Sequence, residues 1–147
     1  MSTHSYRVQA ELNLQQMLDQ FALIQQLNPT IKASNYEEMI LEMYPLPYRM
    51  LGVFDGEHCI AVCGYWVLTK LYCGKYLELD NVVVDEKYRS KGIGKIMSEH
   101  MNQIAIKENC RVMVLDAYIP NQKAHEFYER EGYEKKGYHF VKKVIYP

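Results

Sequence analysis

From Arg89 to Lys95 the chain reads Arg-Ser-Lys-Gly-Ile-Gly-Lys, three cations set around two glycines one residue apart. The run follows Val82, Val83 and Val84, a β-branched triplet of strand type. It leads into Ile93, Ile96, Met97, Met101, Ile104 and Ala105, spaced as one face of a helix. Glycines at 92 and 94 leave the backbone bare where a helix begins. There the first main-chain N–H groups lack intrahelical acceptors and the helix dipole favours an anion. The chemistry this suits is the cradling of a phosphate or pyrophosphate, with Arg89, Lys91 and Lys95 adding cationic reach. Two other phosphate templates fail. A Walker A loop needs glycine where Arg89 stands and Ser or Thr where Ile96 stands. A dinucleotide fingerprint needs a third glycine where Met97 stands. A tight turn beside a solvated charge run would use the same residues, so local sequence leaves both readings open.

The elements that must position this loop follow from periodicity and punctuation. Leu14, Met17, Leu18, Phe21, Leu23, Ile24 and Leu27 predict one amphipathic helix over Asn13–Leu27, halted by Pro29. Ser34 with Glu37 has the form of a capping box for a second helix through about Met43, ended by Pro45 and Pro47. Arg49–Phe54 reads as a strand, Asp55-Gly56 as a hairpin turn, and Cys59–Leu71 as the returning strand. Gly74 turns the chain into a third strand, Lys75–Val84. After the glycine-loop helix come a strand at Arg111–Asp116, a helix over Gln122–Glu131 closed by Gly132, and a β-like tail over Tyr133–Ile145. The order predicts a mixed α/β (α+β) fold: a central, mostly antiparallel sheet flanked by about four helices, in one domain over 1–147.

Two segments carry a family resemblance. The first, Val82–Met97, contains Arg89-x-x-Gly92-x-Gly94 and resembles the acetyl-coenzyme A (acetyl-CoA) signature of the GNAT N-acetyltransferase superfamily. The second contains Asn121, Ala124, Phe127, Tyr128, Gly132 and Tyr133, and is similar to that superfamily's later motif, N-x-x-A-x-x-F-Y-x-x-x-G-[FY]. The predicted element order agrees with the family fold. What the resemblance implies is an acetyl-CoA-dependent acyltransferase that moves an acetyl group from a thioester directly to a primary amine of a small molecule, peptide or protein.

Such chemistry needs a grip on the coenzyme, a donor to the carbonyl oxygen, a base for the amine and an acid for the leaving thiolate. The resemblance implies that Arg89, Ser90, Lys91, Gly92, Ile93, Gly94 and Lys95 bind the pyrophosphate. Val82, Val83 and Val84 would pair their main chain with the pantetheine arm, as an added strand does. By the same analogy Tyr128 protonates the thiolate and Asn121 lies near the pantetheine or pyrophosphate, besides serving locally as a helix N-cap. Glu78, fourteen residues before Gly92, matches the spacing of the base in the histone-acetylating branch of the superfamily. Asp80 shares its strand parity and is the alternative, and either carboxylate can instead bind a cationic acceptor while water removes the proton. His100 reads as structural, and His125 stands one turn before Tyr128.

Composition narrows the field. With 147 residues, 48% of them hydrophobic, the chain suffices for one well-buried domain. A net charge of −1 gives no basic footprint for nucleic acid, and apolar runs break before a membrane span, so neither partner is expected. The N-terminal segment has no leader pattern, which makes a cytoplasmic protein the expectation. Cys59, Cys63, Cys73 and Cys110 lack zinc-site spacing and read as reduced thiols, with no metal. None has a partner for a covalent acyl intermediate, which favours direct attack. The thirteen tyrosines suit a lined cleft without naming its ligand. A catalytically silent acyl-CoA sensor or interaction module on the same fold is the alternative, and either a monomer or a homodimer is compatible.

Overall fold

A computed structural model describes residues 5–147. The first four residues of the N-terminal segment, over which no leader was read, lie outside the described residues. The chain forms two compact units, one ending at Leu115 and one from Asp116 to Pro147.

The first unit is built on a five-stranded sheet in chain order: β1 (Arg7–Gln9), β2 (Tyr48–Asp55), β3 (His58–Lys70), β4 (Gly74–Val84) and β5 (Val112–Val114). β1 through β4 form an antiparallel meander, and β5 lies parallel to β4. The predicted hairpins therefore stand, with Gly56 and Gly74 both at positive φ in their turns. The three residues of β1 were too few to show a periodicity, and the sequence reading missed them.

Helices α1 (Leu14–Leu18), α2 (Phe21–Leu27) and α3 (Ala33–Met43) precede β2. The single helix predicted over Asn13–Leu27 is two, interrupted at Asp19 and Gln20. Its apolar spacing survives the break, since Met17, Leu23 and Ile24 are all buried. The capping box also falls elsewhere than predicted. Asn13 and Gln16 form one at α1, whereas α3 begins at Lys32 without a side-chain cap and Ser34 lies inside the helix. These helices share a core with one face of the sheet: Tyr48, Met50, Phe54, Val62 and Val83 pack with Leu12, Met17, Ile24, Tyr36 and Ile40. Tyr36 anchors α3 to α1 by donating its hydroxyl hydrogen to the Met17 carbonyl.

Helix α4 (Ile93–Lys107) packs on β4, β2 and β5. Of the predicted stripe it buries Ile93, Met97, Met101 and Ala105, while Ile96 and Ile104 are half-buried. Full burial of side chains of this size contributes about 1.5–3 kcal/mol each.

In the second unit, α5 (Gln122–Arg130) runs from an Asn121 N-cap to Gly132, whose φ of 98° is left-handed. The N–H of Gly132 reaches the Glu129 carbonyl and that of Tyr133 the Tyr128 carbonyl, the paired bonds of a Schellman closure. The β-like pattern over Tyr133–Ile145 forms no strand, and Tyr138, Phe140, Val141, Val144 and Ile145 are exposed. Alternating apolar residues make a strand only where a neighbour accepts their backbone bonds, and these residues have no strand neighbour among the described residues.

Candidate functional site

The glycine loop takes the predicted strand–loop–helix form. β4 ends at Val84, a short 3-10 turn occupies Glu86–Tyr88, and α4 starts at Ile93. Gly92 is the N-cap residue of α4 at φ 80°, with no side-chain cap. Ser90, at φ 62°, is left-handed as well. A Cβ placed on Gly92 would meet nothing within 4 Å. The glycine thus serves backbone conformation, and the space in front of it is open. The helical ladder begins with the Ile96 N–H on the Gly92 carbonyl at 3.2 Å. The amides of Ile93, Gly94 and Lys95 belong to the first turn, whose donors have no acceptor within a helix.

Side chains around the loop sort by orientation. Arg89, Ser90, Lys91 and Lys95 are exposed. Arg89 donates from Nε to the Val84 carbonyl at 3.3 Å, tying the loop to the end of β4. Lys91 lies over the Tyr88 ring at 5.6 Å, and Tyr88 donates its hydroxyl to Asp55 at 2.7 Å, which fixes the base of the loop on the β2–β3 hairpin. Ile93 differs from its neighbours: its side chain is 1% exposed and belongs to the core. Only its main chain is available to a ligand.

The second feature is the edge of β4. Pairing with β5 runs Tyr76–Val112, Leu77–Met113 and Glu78–Val114, and ends there. From Leu79 to Val84 the outer edge of β4 has no neighbouring strand among the described residues. Val82, Val83 and Val84 lie on this open edge, and their other edge pairs with Cys63, Val62 and Ala61 of β3.

Glu78 is the last residue of β4 to pair with β5, opposite Trp66 on β3 and Val114 on β5. Two residues on, Asp80 lies opposite Gly64 and accepts the Trp66 indole N–H at Oδ2, 3.0 Å away. Both carboxylates are half-buried. Strand alternation puts them on the face of the sheet that carries Tyr48, Met50 and Trp66. Tyr48 and Trp66 pack ring against ring, centroids 4.9 Å apart.

Between Asp80 and Val82 the register slips. Cys63 pairs with Val82 and Gly64 with Asp80, so Asn81 is an extra residue, held at φ 61°. An unbroken strand would turn Val82 to the same face as Asp80; the bulge sends Val83 there instead, into the helix-covered core. Reading the strand as uninterrupted missed this. The available signal was the Asp-Asn pair inside an apolar run, since asparagine is enriched at positive φ. A second bulge, at Ile60, separates Cys59 from Cys63, which an unbroken strand would align. Burial pushes the Cys59 thiol up to about 11 and the Cys63 thiol up to about 12, and raises Cys110 as well. All four cysteines are free thiols.

In the second unit Tyr128 is half-buried on α5, its ring edge-on to Phe127 at 5.2 Å and to Tyr133 at 5.6 Å. Asn121 acts as the predicted N-cap, its Oδ1 accepting the Ala124 N–H at 3.2 Å. His125 points Nε2 at the Tyr118 carbonyl, 2.9 Å away. A carbonyl only accepts, so Nε2 carries the hydrogen, and Nδ1 is buried with no hydrogen-bond partner among the described residues. His100 binds the Ile96 carbonyl one turn back through Nδ1, as a structural histidine does.

Residues 17–133 match the model of the Acetyltransferase (GNAT) family. The chain belongs to this family. A GNAT relative, the uncharacterized N-acetyltransferase YhdJ of Bacillus subtilis, is 26% identical over 98 residues, covering 66% of this chain and 69% of that protein. Glucosamine 6-phosphate N-acetyltransferase 1 of Dictyostelium discoideum is 32% identical over 81 residues, covering 53% of this chain. The match spans only half of that protein's length. Among solved structures, aminoglycoside N-acetyltransferase AAC(6')-Iy in complex with CoA superposes with a TM-score of 0.84 at 15% identity, covering 98% of each chain. The GNAT fold is thus retained at an identity too low to bear on substrate. Membership makes the protein a transferase, and among the described residues no helix is long and apolar enough to cross a membrane.

Proposed function

We propose that this protein moves the acetyl group of acetyl-CoA directly to a primary amine. The observation that carries the reading is the continuity of an open main-chain edge, Leu79–Val84, with a helix start at Gly92 whose front is unobstructed. In a GNAT chain these suit the two halves of CoA. The amides and carbonyls of Val82–Val84 pair with the pantetheine arm. The first-turn amides of α4 bind the pyrophosphate with Arg89, Ser90, Lys91 and Lys95. A main-chain N–H on the β4 edge polarises the thioester carbonyl.

In the reaction the amine nitrogen bonds to the carbonyl carbon and the C–S bond breaks. Glu78, where the pairing of β4 with β5 ends, takes the amine proton directly or through water. Asp80, which accepts the Trp66 indole N–H, is the runner-up for this role and is also suited to holding a cationic acceptor. Tyr128 gives its proton to the thiolate, and Asn121 contributes to coenzyme binding; both roles rest on the family motif alone. The acceptor is a small-molecule or peptide amine, the class to which glucosamine 6-phosphate and aminoglycosides belong. The family match runs across both compact units, which supports one acetyltransferase domain over 1–147. A cytoplasmic monomer or homodimer completes the proposal.

Free-thiol release from acetyl-CoA, measured across amino sugars, polyamines, aminoglycosides and peptide N-termini, tests this reading. Turnover with at least one amine supports it. Binding without turnover on every amine would make the protein an acyl-CoA sensor, and absence of binding would remove both.

A further inference from the structure

The bulge at Asn81 sits between the two halves of the proposed site, and one side chain is placed to hold it. Tyr48 is fully buried in the core of the first unit. Its hydroxyl accepts the Asn81 Nδ2–H at 3.4 Å, and its ring packs on Trp66, the residue that donates to Asp80. Gly64 makes this possible. A Cβ there would overlap both the Tyr48 hydroxyl and the Asp80 carbonyl, so only glycine admits the tyrosine at the register slip.

We propose that Tyr48 is a positioning residue for the transfer reaction, its hydroxyl locking the left-handed Asn81 so that the Glu78–Asp80 side chains and the Val82–Val84 main-chain edge hold a fixed relation. The inference rests on the reading of β4 as the coenzyme-binding edge. Its physical basis is that a non-glycine residue at φ 61° is intrinsically disfavoured and persists where its surroundings over-determine it. Without the bulge, Val82 would turn to the carboxylate face, and the amides of the open edge would shift out of phase with the glycine loop. Burial raises Tyr48 above the usual tyrosine range, with Asn81 opposing that rise, so the hydroxyl stays protonated.

The experiment compares the wild-type chain, Tyr48→Phe, and Tyr48→Phe combined with Asn81→Gly. Amide hydrogen exchange over Asn81–Val84 in the free protein reads the lock, and acetyl-CoA titration reads its consequence. Tyr48→Phe should raise exchange there and weaken acetyl-CoA binding about three- to tenfold, the worth of one buried hydrogen bond. Adding Asn81→Gly should restore both, because glycine adopts the left-handed conformation without help. Rescue by the second substitution is not expected if Tyr48 merely fills the core. Wild-type exchange and affinity in Tyr48→Phe would overturn the inference, as would a double variant no better than the single. A wild-type chain that fails to bind acetyl-CoA would overturn the proposed function, and the exchange arm would still decide whether Tyr48 locks the bulge.

Discussion

Tyr133 meets Tyr128 edge-on, ring centroids 5.6 Å apart and planes at 79°, because Gly132 closes α5 between them in a left-handed turn. The closure brings together the third-last helical residue and the second residue beyond the cap, the pair that a Schellman motif places in contact. The Phe-Tyr-x-x-x-Gly-Tyr part of the motif therefore has a mechanical basis apart from catalysis. Removing only the Tyr128 hydroxyl separates the two roles. Tyr128→Phe should keep the ring contact while lowering kcat about a hundredfold, within the usual range for a general acid. Steady-state kinetics with isothermal titration of acetyl-CoA would check this, and a normal kcat in a chemistry-limited assay would end the assignment.

The carboxylates on β4 should separate in the same way. Glu78→Gln is expected to lower kcat about a hundredfold or more at neutral pH, as loss of a general base does. Asp80→Asn still receives the Trp66 N–H on its amide oxygen, so it should act mainly on the acceptor's KM. If Asp80→Asn gave the larger kcat loss, the two roles would be exchanged.

Two glycines should fail for different reasons. An added Cβ at Gly92 meets no obstacle, so Gly92→Ala costs folding through conformation, about 1–2 kcal/mol for a left-handed L-residue, while acetyl-CoA binding should be weakened. Gly64→Ala drives a methyl group into Tyr48 and the Asp80 carbonyl, and overpacking of this kind typically costs about 1–3 kcal/mol. Chemical denaturation and acetyl-CoA titration on both variants should show the first folded with weakened binding and the second destabilised.

The buried thiols predict a decline of stability in alkali. Cys59 and Cys63 have ordinary values of 9.0 that burial raises to about 11 and about 12. Above pH 9.0 the unfolded chain releases these protons while the folded chain keeps them, so stability present below pH 9.0 falls as the pH rises towards 11. Urea midpoints measured on either side of pH 9.0 would show it, and substituting Cys63 with Ala should flatten the profile. A midpoint that holds or rises through this window would contradict the assignment.

The meander and the α4 stripe were readable in the sequence because both follow from period and punctuation. Asp55-Gly56 and Gly74 turn the strands, and Ile93, Met97, Met101 and Ala105 keep helical spacing. The glycine loop was readable too, since Gly92 performs the left-handed turn that its residue type permits. Other features lay beyond a linear reading. The residue that Asn81 contacts from the bulge, Tyr48, stands thirty-three positions earlier, and its place requires the absence of a side chain at Gly64. The engagement of Asp80 by Trp66 needs the β3–β4 register, which single-strand parity does not contain. The tail misled because a strand pattern records a side-chain preference and says nothing of whether a neighbour exists.

The open edge of β4 beyond Glu78 also bears on how such a protein can change over time. On the proposed reading, a ligand arm held through amides and carbonyls asks nothing of the side chains above them, so the part-buried Val82 and Val84 are free to vary. Only the dihedral angles are constrained: the left-handed turn at Gly92 and the slip at Asn81. A surface read in this way can keep its ligand while nearly every residue name changes, as the 0.84 TM-score at 15% identity illustrates for the fold. On the proposed reading, what is inherited at such an edge is a shape of main chain, and the acceptor side, reached by the Glu78 and Asp80 side chains, is left open to diversify.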